Sequence, residues 1–227
     1  MSEFIEGALL KEISKNFSDK EIVKLYQDMA KYLSSLHSVK LDYFGEFIVE
    51  NNSLKISPKF NSAKEQIYEE YLTWISKAKN TPFEKFIPDL TDWLKNNINV
   101  FEDNVFPCLT HNDFSDTNIL VLNNGQISGI IDLDNISAGN SVTDIYRIYA
   151  NFSKDKKELA LETFFKNYKV ELPTNFEKQI KFYEITHVLA YIDCWKQIVD
   201  SYTKKELETM IKKMNKDILN LLKTRLY

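Results

Sequence analysis

The chain is poor in glycine. Its 227 residues hold five: Gly7, Gly45, Gly125, Gly129 and Gly139. None sits in a strand-turn-strand ahead of a V-A-I-K-like element, and no G-x-G-x-x-G occurs. That excludes a glycine loop laid over nucleotide phosphates within these residues. Cysteine is scarcer still. Cys108 and Cys194 are too few and too far apart for a disulfide framework, which points to a reducing interior. The three histidines, His37, His111 and His187, have no further His or Cys at ligand spacing, so a zinc site is excluded. No apolar run approaches a membrane span and the acidic N-terminus is no signal peptide, so the expected location is cytoplasmic, with no membrane partner. A surplus of positive charge is missing too. A formal charge of −4 and a pI near 5.5 argue against a nucleic-acid partner, which a basic face would mark.

What remains is an ordinary globule, 44% hydrophobic and 27% charged, long enough to bury a core of its own. Helical patterns dominate. Ser18-Asp19-Lys20-Glu21 reads as a capping box, followed by Ile22, Leu25, Tyr26, Met29, Leu33 and Leu36 at helical spacing. Ser62 and Glu65 cap a run through Ile67, Tyr71, Trp74 and Ile75, and Pro88 opens another through Trp93 and Leu94. Beyond Asp144 the chain is helical again, broken near Pro173, with amphipathic runs over 176–200 and 204–222. The one β element predicted is a hairpin of Ile119–Leu122 and Ile127–Ile131, turned at Asn123-Asn124-Gly125. The expected fold is mainly α with a small β-hairpin, in one domain without repeat or linker.

The chemistry concentrates between Leu109 and Asp144. His111-x-Asp113 is followed five positions on by Asn118, and Asp132 ends an apolar strand. Phosphoryl transfer from a nucleotide needs this set: a carboxylate to orient the attacking hydroxyl, and two oxygen ligands for the metal that bridges the phosphates. The alternative for Asp113 and Asp132 is a pair of solvated loop carboxylates, and for Asn118 a turn residue.

At H-N-D-F-S-D-T-N-I-L and S-G-I-I-D-L-D the chain resembles the aminoglycoside phosphotransferase family, small-molecule relatives of protein kinases. Tyr32 to His37 resembles the L-x-x-L-H that ends an early helix of that family's C-terminal lobe, and Glu3-Phe4-Ile5-Glu6-Gly7 resembles its hinge. The resemblance implies that Asp113 is the catalytic Asp, that Asn118 and Asp132 hold Mg2+, and that a buried Asp144 braces the loop. It implies ATP or GTP as co-substrate. There is no Arg after His111 and no A-P-E after Asp132, so a small acceptor is expected rather than a peptide. It further implies the C-terminal lobe of a kinase-like fold across residues 1–227, with the N-terminal nucleotide-clamping lobe absent. Residues 1–7 would be a hinge remnant, 111–134 the catalytic and metal loops, and 141–227 a helical acceptor-binding region.

His111 is expected to support the loop through hydrogen bonds, with Asp144 as one partner. His37 reads as a cap or packing group, His187 as a core histidine. Asp134 could reach metal or substrate. Glu184, Tyr191 and Trp195 share one face of a late helix at three-to-four spacing, an aromatic floor with an acidic rim for a cationic acceptor. Core aromatics beside solvated acids give the same pattern. The leading expectation is a small-molecule kinase acting on a hydroxyl of an aminoglycoside-like antibiotic or another small alcohol. A catalytically silent ligand- or partner-binding lobe is the alternative, and a metal-dependent phosphohydrolase lacks ligands for a second metal. With Phe4 and Ile5 left uncovered, self-association through the lobe interface is expected.

Overall fold

Ser18 closes the capping box. Its backbone N–H and hydroxyl donate to Glu21 Oε2 at 2.7 and 2.6 Å, and its Oγ accepts from the Glu21 N–H. The computed structural model describes residues 5–102, 105–150 and 156–226. In chain order its regular elements are β1 (Ala8–Leu9), α1 (Leu10–Ile13), α2 (Asp19–His37), β2 (Gly45–Glu50), β3 (Ser53–Ile56), α3 (Ala63–Ser76) and α4 (Ile87–Asn97). There follow β4 (Cys108–Thr110), β5 (Ile119–Val121), β6 (Ile127–Ile130), β7 (Ser137–Gly139) and α5 (Val142–Ala150). The last are α6 (Lys157–Asn167), α7 (Phe176–Asp193), α8 (Trp195–Ser201) and α9 (Lys204–Lys223). Of the expected hinge, Glu3 and Phe4 lie outside the described residues.

The chain divides into two compact units, residues 1–59 with 105–172, and 60–104 with 173–227. The region expected as one acceptor-binding stretch, 141–227, is therefore split at 172.

In the first unit α2 buries Ile22, Leu25, Tyr26, Met29, Ala30 and Leu33 and packs along α6. β5 and β6 form the predicted hairpin, with Ile119 opposite Ile130 and Leu120 opposite Gly129. Its turn needs glycine twice over. Gly125 has φ +78°, and a Cβ there would stand 2.7 Å from the carbonyl oxygen of Glu21. The turn is seated on the first turn of α2. β1 adds a third strand through Ala8 opposite Val121 and Leu9 opposite Leu120.

The hairpin is not the only β structure, which corrects the expectation. A second, antiparallel sheet runs in the order β3-β2-β7-β4. Two of its strands are three residues long, too short to show a period of two in sequence. β2 and β3 turn at Asn51 and Asn52, with φ of 52° and 59°, the left-handed pair that a two-residue hairpin loop needs.

The second unit is helical around an aromatic core. Phe182 lies 5.3 Å from Tyr71, 5.5 Å from Trp93 and 5.0 Å from Phe101 between ring centroids. Two hydrogen bonds serve polar groups inside it. Thr186 Oγ1 donates to Tyr71 Oη at 3.1 Å and Trp93 Nε1 to the Thr224 carbonyl at 2.8 Å. Among the described residues no helix is long and apolar enough to cross a membrane.

Candidate active site

β4 carries the chain into the loop that starts at His111, and the loop is tied to α5 by one carboxylate. Asp144, fully buried, accepts from the backbone N–H groups of His111 (2.8 Å, to Oδ2) and Asn112 (2.7 Å, to Oδ1). Asn112 stands at φ 62°, a conformation asparagine tolerates better than most side chains. Phe114, 2% exposed, pins the next residue of the loop by stacking on Tyr32 at 5.8 Å. Between these anchors Asp113 is held half-exposed.

Asn118 closes the loop onto Asp113. Its Nδ2 donates to the Asp113 carbonyl (2.9 Å) and to Asp113 Oδ2 (2.8 Å). The five-residue spacing is what lets a short turn return, through Ser115 N–H to the Asp113 carbonyl and Asn118 N–H to the Ser115 carbonyl. Two consequences follow. The amide nitrogen of Asn118 is committed, which leaves its carbonyl oxygen as the atom for a cation. Of the Asp113 carboxylate, Oδ2 is engaged and Oδ1 faces Arg147 Nη2 at 3.8 Å, beyond direct hydrogen-bond reach. Arg147 reaches the Asn112 carbonyl at 3.5 Å as well.

Asp132 leaves the end of β6. The Ile131 N–H donates to the Asn118 carbonyl at 3.0 Å, which continues the hairpin register and sets Asp132 one residue beyond the position opposite Asn118. Asp132 is exposed, with φ 63°. Asn112 binds this second loop to the first, its Nδ2 donating to the Asn135 carbonyl (2.7 Å) and Ser137 Oγ (2.8 Å). Asp113 and Asn118 are in contact in the first unit and the hairpin register sets the Asp132 backbone next to Asn118, while Asp134 is exposed without a described contact to them. Among the described residues no three His, Cys, Asp or Glu side chains form a metal-binding group.

His111 meets Asp144 through its backbone N–H rather than its ring. Its ring does not touch Asp144: Nδ1 accepts from the Asp113 N–H at 3.3 Å, and Nε2 is buried without a partner among the described residues. The ring on Asp144 is that of His37, 1% exposed, whose Nε2 is 3.0 Å from Oδ2. Sequence reasoning missed this use of His37 because the partners are 107 residues apart. It also missed Asn112 and Arg147, although an Asn between His and Asp was a visible signal for a left-handed turn.

Of the proposed acceptor face, Glu184 and Tyr191 line one cavity of about 380 Å³ and Trp195 does not. α7 ends at Asp193 and α8 begins at Trp195, so the helical phase that would bring 195 into line with 184 and 191 is broken at Cys194. Trp195 is 8% exposed and edge-on to Phe83 at 5.0 Å, a core residue of the second unit. Glu184 is exposed and paired with Lys181 at 2.8 Å. Tyr191 is 39% exposed and lines a cavity of about 410 Å³ with Tyr202, Met210 and Met214, which contains none of Asp113, Asn118 or Asp132. His187, expected in the core, is exposed beside Tyr191 at 5.4 Å.

Comparison with known proteins agrees with this loop. The phosphotransferase enzyme family matches residues 1–178. Among solved structures, the gentamicin complex of APH(2")-IIa is 22% identical, covering 99% of this chain and 70% of that one, with a TM-score of 0.62. The ADP-bound aminoglycoside phosphotransferase APH(2'')-Ib is 24% identical over 99% and 70%, at 0.59. A fructosamine-3-kinase described as putative, from Thermobifida fusca YX-ER1, is 12% identical over 96% and 69%, at 0.61. At these identities the likeness is one of fold.

Proposed function

The chain belongs to the phosphotransferase enzyme family, and from that premise we propose that it transfers the γ-phosphoryl group of ATP or GTP to a hydroxyl of a small molecule. The observation that carries the reading is the division of labour on Asp113: Oδ2 is fixed by Asn118, and Oδ1 has Arg147 Nη2 at 3.8 Å and no direct hydrogen bond from it. Oδ1 receives the proton of the acceptor hydroxyl. The hydroxyl oxygen forms a bond to the γ-phosphorus, the bond from that phosphorus to the β–γ bridging oxygen breaks, and the nucleoside diphosphate leaves. A carboxylate of ordinary basicity suffices, because a loose phosphoryl transfer depends on orientation more than on proton abstraction.

The donor set fits Mg2+. Asn118 offers a neutral carbonyl oxygen and Asp132 a carboxylate at the same end of the hairpin, and magnesium is held by one or two carboxylates together with substrate phosphates. Bound there, the ion would neutralise charge on the β- and γ-phosphates.

The chain spans about 70% of the first two solved relatives, and the sequence as given has no glycine loop or paired Lys. We therefore place it as the catalytic-loop lobe of a kinase-like fold and expect turnover by these residues alone near background, since phosphate neutralisation is a main catalytic contribution. The same lack supports a second reading, a lobe that binds ligands or a partner without turning over. Solved relatives are described in complex with gentamicin and with streptomycin and ATP, which supports an aminoglycoside-like acceptor; other small alcohols share the loop chemistry. Ile5, 40% exposed, supports self-association, to be read by light scattering, and a strict monomer at high concentration refutes it.

Phosphorylation of an acceptor panel should be assayed with the chain alone and with a relative's nucleotide-binding lobe supplied in cis. Activity should rise on complementation, and Asp113→Asn should abolish the gain while leaving the fold intact. An unchanged rate in Asp113→Asn would assign the base elsewhere.

A further inference from the structure

Asp144 is a carboxylate and only accepts hydrogen bonds, so the contact at 3.0 Å requires His37 to bring its hydrogen on Nε2. That leaves Nδ1, which lies 2.8 Å from the hydroxyl of Tyr168. Tyr168 follows α6 and is 8% exposed. Its ring stacks on Phe164 at 5.4 Å and its N–H donates to the Phe164 carbonyl at 2.8 Å, so its position is fixed from two sides. Burial pushes its phenol well above the ordinary range, and the group keeps its proton.

We infer that Tyr168 is a positioning residue for the loop that bears Asp113, its hydroxyl donating to His37 Nδ1 and fixing that ring as the neutral Nε2–H tautomer. The donors then run in one direction, Tyr168 to His37 and His37 to Asp144. Asp144 in turn receives the two loop N–H groups. Every member is buried, so a reversed tautomer has no solvent to absorb the error. With the hydrogen on Nδ1, the Nε2 lone pair would face the Asp144 lone pair and push the carboxylate off His111 and Asn112. His37, Asp144 and Tyr168 come from the end of α2, the start of α5 and the end of α6, and the loop they brace lies between β4 and β5, so they meet only when all these segments are in place.

The significance for catalysis rests on the phosphotransferase reading, but the arrangement is read on the chain by itself. Imidazole ¹⁵N spectra of the wild-type chain should show His37 with a bare Nδ1 and a protonated Nε2. Tyr168→Phe keeps the ring stack and removes one donor. It should give mixed tautomers at His37 and amide exchange about tenfold faster at His111 and Asn112, with exchange at Leu120 in the hairpin unchanged. In a complemented enzyme the same variant should lower kcat at constant acceptor KM. An imidazolium or an Nδ1–H ring in the wild type overturns the inference, and so does unaltered loop exchange in Tyr168→Phe. Should that variant fold poorly, the wild-type spectrum still decides. None of the spectroscopic readouts uses nucleotide or acceptor, so a failure to phosphorylate leaves them standing.

Discussion

Asp144→Ala is the most informative single perturbation of the fold. The side chain is fully buried and accepts three hydrogen bonds, at 2.7, 2.8 and 3.0 Å. Truncation strands two buried backbone N–H groups and the imidazole of His37. Each stranded donor costs roughly 1–3 kcal/mol. Partial relaxation and the removal of a buried charge bring the net to about 3–5 kcal/mol, the range for breaking a buried pair from one side. That is a large share of the roughly 5–15 kcal/mol available to a domain of ordinary stability. Asp144→Asn should lose less, because one amide oxygen still serves one loop N–H while the amide nitrogen confronts a second donor. Urea unfolding should be followed by far-UV circular dichroism. Trp74, Trp93 and Trp195 all belong to the second unit, so tryptophan fluorescence reads only that unit. A loss below about 1 kcal/mol for Asp144→Ala, the range of an ordinary surface change, would refute the reasoning.

Gly125→Ala should destabilise by about 1–3 kcal/mol, because the side chain is strained at positive φ and its Cβ meets backbone rather than a movable side chain. An unchanged melting temperature would show that the hairpin turn does not rest on α2. Glu21 and Glu206 are both held below the ordinary carboxylate range by their capping hydroxyl and backbone N–H partners, Ser18 and Thr203. A depressed folded value stabilises above the unfolded carboxylate value, and the contribution fades as pH falls through the folded one. The stability gap between wild type and Ser18→Ala/Thr203→Ala should therefore narrow from about pH 6 to about pH 3, and a gap independent of pH would contradict it. Trp195→Ala should lower stability by about 3–5 kcal/mol through a cavity beside Phe83. If it leaves unfolding untouched and only weakens acceptor binding, the core assignment fails.

What could be read from the residues was whatever is local. The five-residue return from Asp113 to Asn118 and the Asn-Gly hairpin are each decided within a few positions, and so are the caps at Ser18 and Ser62. The support of the loop was not. Asp144 meets His37 and Tyr168 meets His37 across 107 and 131 residues, and no periodicity reports such a meeting. Strands β4 and β7 are legible only through their partners, β7 beside β2 and β4 beside β7. The Asn51-Asn52 turn was readable and went unused, because the flanking strand residues are mostly exposed and do not alternate cleanly. The break at Cys194 has no glycine or proline to announce it, so the face built on Trp195 ran straight through it.

The interleaving of the two units sets an order of assembly during synthesis. When residue 104 leaves the ribosome, each unit holds only its first segment, 1–59 or 60–104. The first can be completed once residue 172 is made; the second waits for its remaining segment, beyond 173. The loop around Asp113 cannot be braced until α5 and Tyr168 arrive, more than fifty residues after it in the case of Tyr168. Closing so long a span adds little free energy, since each doubling of loop length costs only about 0.6 kcal/mol, but it costs time. A nascent chain stalled before Asp144 would present the whole H-N-D-F-S-D-T-N motif with the N–H groups of His111 and Asn112 lacking their carboxylate, a target for chaperones and proteases rather than a precursor of the site.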